Sequence, residues 1–340
     1  MTAKDWSLAL YGLSNMSDEV VEVKQLLSLL ALFISQSDSK LTDRDFSNAL
    51  YGLNHMTQNS PEALSVLTQL EKKLSSAPII FSPQSLGMAI YGLRGFRCES
   101  PEVLRLLAGL ATRVSVLDAQ AVGNALYGLK SMTSERDEVC TLLTSLTPAI
   151  IQCHEPLDAQ LISNAIFGMQ GMNTDRYEVE QIFSLLADKL ESCEGAFTSQ
   201  GLSNALTGLQ STNSVSISAR RLLLLLAKKI SKCTEMFKSQ EIAGALFGLQ
   251  GMETVTPEVC AVLSALEPKM LESTDQFTAQ DIGKSLVGLS AMDQTIPEVA
   301  AIATLITIKI SMSEYKGQPS LQFLLFGKSL RVKKGGVNIV

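Results

Sequence analysis

Ala-Val-Gly-Asn-Ala-Leu-Tyr-Gly-Leu-Lys-Ser-Met, Ala121 to Met132, recurs in near-copies along the whole 340-residue chain. The copies align on a glycine, at Gly12, Gly52, Gly92, Gly128, Gly168, Gly208, Gly248, Gly288 and, in degraded form, Gly327. Successive anchors lie 40 residues apart, except for 36 between Gly92 and Gly128 and 39 between Gly288 and Gly327. A fixed period in this range means stacked supersecondary units, none of which can bury its apolar face alone. A stacked array adds core with each repeat, so one continuous domain over 1–327 is expected rather than several globular ones.

Each unit reads as two helices. In the fourth, a first helix is expected from Asp118 to Met132, with Val122, Ala125, Leu126, Leu129 and Met132 on one face. Asp118 is its N-cap, with Ser82, Asp158, Thr198 and Thr278 at the matching places. A second helix follows nine residues after the glycine and opens on Pro61-Glu62, Pro101-Glu102, Pro257-Glu258, Pro297-Glu298 or an analogue. Lys72-Lys73, Arg113, Lys189, Lys228-Lys229, Lys269 and Lys309 close these helices, where cations complement the dipole. The 36-residue interval reads as four residues lost from a connector, with both helices intact. The fold class is therefore all-α, an α-solenoid of eight 40-residue helical hairpins plus a partial ninth. Residues 328–340 read as a short basic tail that frays. Polar caps normally cover the ends of such arrays, yet the chain starts within a first helix and its ninth copy lacks a second. Either something else covers the ends, or the chain belongs to a longer one.

Composition narrows the function. The 28 basic and 34 acidic residues give a net charge of −6, which offers no electrostatic reason for a polyanion or acidic membrane as partner. Cys153, Cys193 and Cys233 stand one period apart, about one helix spacing of roughly 8–10 Å, too far for disulfides. No pair has zinc-ligand spacing, and His55 and His154 add no metal set, so no metal or cofactor is expected. Reduced thiols point to an intracellular reducing compartment, the cytoplasm by default or an organelle if the N-terminus is incomplete. The N-terminus shows no signal or transit segment, and Leu222 to Leu226 is too short to cross a bilayer. No catalytic constellation stands out. Thr207, Gly244 and Lys284 break the repeat pattern but share no chemistry, so neither an enzyme nor a small-molecule substrate is expected.

The other face of the first helix is where function would reside. At 100° per residue, Gln120, Asn124 and Tyr127 point together, away from the apolar stripe. The same face carries Gln84, Gln160, Gln200, Gln240 and Gln280, then Asn48, Asn164 and Asn204, then Tyr11, Tyr51, Tyr91, Phe167, Phe247 and Phe326. Small residues flank it: Ser47, Gly87, Gly123, Ser163, Ser203, Gly283 and the anchor glycines. Mid-helix glycine costs about 1 kcal/mol relative to alanine, so the glycines need a packing reason. Close approach of neighbouring first helices supplies it and makes those helices the inner, concave wall. Basic residues there are few: Arg44, Arg94, Lys130, Lys238 and Lys284. Two readings of the wall stay open. It binds an extended partner one element per repeat, or its amides and rings pair across repeats and stitch the array together.

Phe81-Ser-Pro-Gln-Ser-Leu-Gly-Met-Ala-Ile-Tyr-Gly-Leu-Arg-Gly-Phe96 resembles the first helix of octotricopeptide repeats, a tandem helical-hairpin family related to the arrays of RAP-domain proteins. Phe197, Gln200, Asn204, Leu206, Gly208 and Leu209 repeat that pattern. The resemblance implies a right-handed superhelix that binds organellar RNA and acts in its maturation, stability or translation. The residues themselves favour a non-enzymatic scaffold whose concave wall holds a protein or peptide segment. Single-stranded RNA is the alternative partner.

Overall fold

In the computed structural model, residues 1–253, 256–312, 322–325, 328–333 and 336–339 are described. Short polar side chains cap the first helix (the A-helix) of seven of the eight units, Lys238 standing at that place in the other. Asp118 accepts from the amide of Ala121 at 2.7 Å, Asp158 from Leu161 at 2.7 Å, Thr198 from Gly201 at 3.0 Å and Thr278 from Asp281 at 3.2 Å. Each such cap satisfies one orphan donor. The A-helices are α1 (Ala3–Tyr11), α3 (Asp43–Gly52), α5 (Pro83–Tyr91), α7 (Ala119–Tyr127), α9 (Ala159–Gly168), α11 (Ser199–Thr207), α13 (Ser239–Phe247) and α15 (Ala279–Leu289). They are shorter than the sequence led us to expect. α7 stops at Tyr127, and Leu129, Lys130 and Met132 continue in tight turns bonded to Leu126, Tyr127 and Leu129. Those turns keep Leu129 and Met132 buried without extending the helix. The anchor glycine Gly128 is thus a C-cap with helical dihedrals (φ −58°, ψ −22°), not a mid-helix residue.

The second helices (B-helices) are α2 (Val21–Gln36), α4 (Pro61–Ser76), α6 (Pro101–Ala111), α8 (Asp137–Gln152), α10 (Tyr177–Ser192), α12 (Ile217–Lys232), α14 (Pro257–Glu272) and α16 (Pro297–Met312). All begin nine residues after the anchor. Seven have 16 residues and α6 has 11, which corrects the reading of the 36-residue interval. The helix is five residues shorter at its end, while the connector to α7, residues 112–118, is one residue longer than the six-residue connectors elsewhere. Hydrogen bonds from the Arg113 and Val114 amides to Leu110 and Ala111 close α6 early. The cations near the B-helix ends also work across repeats. Lys73 donates to the carbonyl of Ser37, Lys189 to Cys153, Lys269 to Cys233 at 2.7 Å and Lys309 to Ser273. Each acceptor is the C-cap of the preceding B-helix, so the ammonium joins neighbouring hairpins besides complementing a dipole.

The chain divides into two compact units, Met1–Cys193 and Glu194–Val340. In the first, α1, α3, α5, α7 and α9 pack in sequence as one layer, and α2, α4, α6, α8 and α10 as the other. In the second, α11, α13 and α15 form one layer and α12, α14 and α16 the other. This is the expected stacking of helical hairpins. The core lies between layers: Leu50, Ile90, Leu126 and Ile166 from A-helices and Leu67, Leu107, Leu143 and Phe183 from B-helices are fully buried. The anchor glycines set the A-helix spacing. A Cβ on Gly168 would lie 2.0 Å from the Leu126 carbonyl oxygen, and one on Gly128 2.4 Å from that of Ile90. Carboxylates add further cross-repeat caps. Glu155 accepts from the Ala119 amide at 3.0 Å, and Glu235 from the Ser199 amide at 2.7 Å.

Both extremes differ from the interior. Leu8, Tyr11, Val21, Leu29 and Leu32 of the first hairpin face solvent. Beyond α16 the expected partial ninth repeat, up to Gly327, lies mostly outside the described residues. The described residues there, including those of the expected frayed tail, hold β1 (Gln322–Leu325), β2 (Lys328–Lys333) and β3 (Gly336–Ile339), paired antiparallel in the order β1-β2-β3. Ser329-Leu-Arg-Val-Lys333 alternates polar and apolar residues with period two, a strand pattern rather than a helical one. Gly327 and Phe326 lie outside the described residues. No described helix is long and apolar enough to cross a membrane.

Candidate functional site

The residue just before each anchor glycine is held where two A-helices come closest. In the first unit it is Tyr11, Tyr51, Tyr91, Tyr127 and Phe167, and these rings form a ladder. Centroids are 5.4 Å apart for Tyr11 and Tyr51, 5.7 Å for Tyr51 and Tyr91 and 5.5 Å for Tyr91 and Tyr127, with interplanar angles of 16–23°. Phe167 ends the run at 6.0 Å and 35°. Offset stacking at such distances is worth about 0.5–1.5 kcal/mol per pair beyond area burial. The anchor glycines allow this approach, since a Cβ at Gly52, Gly92, Gly128 or Gly168 would lie 2.0–2.4 Å from backbone atoms of the preceding A-helix. For the rings of this unit, packing across repeats is what the structure displays.

The amides behave differently. Gln84, Gln120 and Gln160 in the first unit are exposed, and Asn48, Asn124 and Asn164 are half-buried. Gln120 donates to Asn124 at 3.1 Å, a bond within one helix rather than between repeats. In the second unit Gln200, Gln240 and Gln280 are exposed and Asn204 is half-buried. The ring position there holds Thr207, Phe247 and Val287. Thr207 donates to the carbonyls of Ser203 at 2.9 Å and Gly244 at 3.0 Å, so a backbone contact stands where the first unit has a stack.

Reading the aromatic and amide rows alone misses the residue two places after the anchor. Its occupants are Ser14, Asn54, Arg94, Lys130, Gln170, Gln210, Gln250 and Ser290. The Arg94 guanidinium lies 4.4 Å from the Tyr91 centroid and 5.9 Å from that of Tyr127, and the Lys130 ammonium 5.3 Å from Tyr127. Arg94 Nη2 donates to Asn54 Oδ1 at 2.7 Å and approaches His55 Nε2 at 3.0 Å. Because a guanidinium only donates, His55 Nε2 is the acceptor and its proton sits on Nδ1. Burial pushes Arg94 and Lys130 below their ordinary pKa ranges, with Arg94 adding to the effect on Lys130. His55 is lowered by burial and then by both cations. Gln170 continues the row by donating to the Lys130 carbonyl at 2.6 Å. Both Arg94 and Lys130 were visible as basic residues three places after a tyrosine, but the approach of Arg94 to Asn54, His55 and Tyr127 of neighbouring repeats depends on how close the A-helices come.

The six cysteines are free, five of them buried, and burial raises the Cys153 thiol. A thiol so placed is a poor nucleophile. Among the described residues no group of three or more His, Cys, Asp or Glu side chains could hold a metal ion. No family model and no curated protein matches the chain.

Proposed function

We propose that the A-helix face is a non-enzymatic docking surface for an extended protein or peptide segment. The observation that carries this reading is the row of exposed Gln84, Gln120 and Gln160 beside a ring ladder closed on itself. Carboxamides carry both donors and acceptors and can pair with the N–H and C=O groups of an extended chain. The rings offer a continuous apolar strip beside them. The tyrosine stacks are too tight to admit a base, because insertion needs roughly 6.8 Å, twice the 3.4 Å stacking rise. The net charge of −6 argues in the same direction.

Single-stranded RNA is the second reading, favoured by Arg94 and the exposed amides, whose groups can pair with base edges. This is also what the resemblance to octotricopeptide repeats implies. One experiment separates the two. The purified chain is offered a random peptide display library and, in parallel, a randomised single-stranded RNA pool over about 50–200 mM salt. Enriched peptides with no enriched RNA support the docking face. Tight, sequence-enriched RNA binding with no peptide overturns it.

A further inference from the structure

We propose that Arg94 and Lys130, with Asn54 and His55 beside them, form an anion subsite that takes the carboxylate of an acidic side chain in an extended protein partner. This rests on the docking reading above and names the chemistry of one contact within it.

The two cations occupy consecutive repeats and approach the same ring, Tyr127, at 5.9 Å and 5.3 Å. Both are half-buried, and neither has an ion pair among the described residues. Two like charges are therefore held side by side and partly out of water with no carboxylate of the chain to neutralise them. Such an arrangement opposes folding unless something else offsets it. The ring faces offset part through cation–π attraction. An incoming anion would offset the rest, and the site is shaped to accept one. Asn54 and His55 fix one edge of the guanidinium, which has five donors, leaving others for a ligand.

A carboxylate fits better than a polyphosphate strand. Along the row only Arg94 and Lys130 are cationic, the other places being serine, asparagine or glutamine. Strand binding draws its affinity from cations repeated along the phosphates. A single two-cation spot in a row of neutral groups suits one acidic side chain at a defined register.

The test uses the full chain and fluorescein-labelled probes: a peptide alternating Glu and Ser, its Gln-Ser counterpart, and single-stranded oligouridylate. The variant R94Q/K130Q carries the residue found naturally at Gln170, Gln210 and Gln250, so the array tolerates it. Fluorescence anisotropy should show the Glu-Ser peptide bound by the native chain and weakened about tenfold or more in R94Q/K130Q, with an unchanged or higher melting temperature. The Gln-Ser peptide should bind more weakly and ignore the substitutions. Equal binding of the Glu-Ser peptide to both proteins, or none to either, overturns the subsite. Oligouridylate that binds more tightly than the peptide and is lost in R94Q/K130Q also overturns it, assigning the cations to phosphate. Display-selected peptides that lack acidic residues and bind R94Q/K130Q as well as the native chain overturn the subsite and leave the docking face standing.

Discussion

Gly168 and Gly12 hold the same place in the repeat and meet different neighbours. A Cβ on Gly168 would fall 2.0 Å from the Leu126 carbonyl, whereas one on Gly12 meets only carbonyls of its own turn, at 3.3 and 3.6 Å. Gly168→Ala should therefore cost at least about 2 kcal/mol, the scale of overpacking against backbone, while Gly12→Ala should stay within about 0.5 kcal/mol. Equal losses in denaturant melts would contradict the steric role. His55 gives a second test at this scale. Burial, Arg94 and Lys130 lower its pKa, so folding favours the neutral ring. Its contribution to stability is full above the ordinary histidine range and is lost as pH falls through that range toward the lower folded value. An NMR titration should find the His55 midpoint below the ordinary value in the native chain and nearer to it in R94Q/K130Q. An unchanged midpoint would show that the cations do not act on the ring. The glycine spacing was legible in the sequence and so was its packing reason. The Arg94 cluster was not, since its contacts with Asn54, His55 and Tyr127 cross to neighbouring repeats and leave no periodic trace.

Between helices, the joints are rings and cations rather than wall amides. Tyr91 stacks on both Tyr51 and Tyr127, so Tyr91→Ala should cost about 2–3 kcal/mol, whereas Tyr91→Phe, which keeps both stacks, should cost less than about 0.5. Lys189→Met removes the charged donor to Cys153 at the end of α8 and should cost about 1 kcal/mol, discounted because the lysine is part-exposed. Asn124→Ala and Asn164→Ala together should leave the melting temperature nearly unchanged; a drop of several degrees would show that these amides stitch the array. Periodicity fixed where each helix begins, because caps and prolines act locally. It overestimated the A-helices, since Leu129 and Met132 keep helical spacing through tight turns after Gly128. It also misplaced the deletion before Gly128, because shortening α6 and shortening its connector leave the same gap between anchors.

At the scale of the whole molecule, contacts run from each hairpin to the next within a unit, so stability is a sum of neighbour terms. Residues 1–193 alone should retain cooperative helical melting, followed by circular dichroism; an unfolded fragment would contradict a self-contained first unit. The ring ladder belongs to that unit, and with it the apolar strip beside exposed amides on which the docking reading stands. The helical array was legible from the period alone. The three strands after α16 were not, because a decayed glycine motif at Gly327 outweighed the alternation that follows it. The most direct measurement is photocrosslinking of a display-selected peptide to full-length chains carrying benzophenone at Gln120, on the amide row, or at Thr141, exposed on α8. The account predicts crosslinks from position 120 and none from 141; crosslinks from 141 alone would place the partner on the B-helices and contradict it.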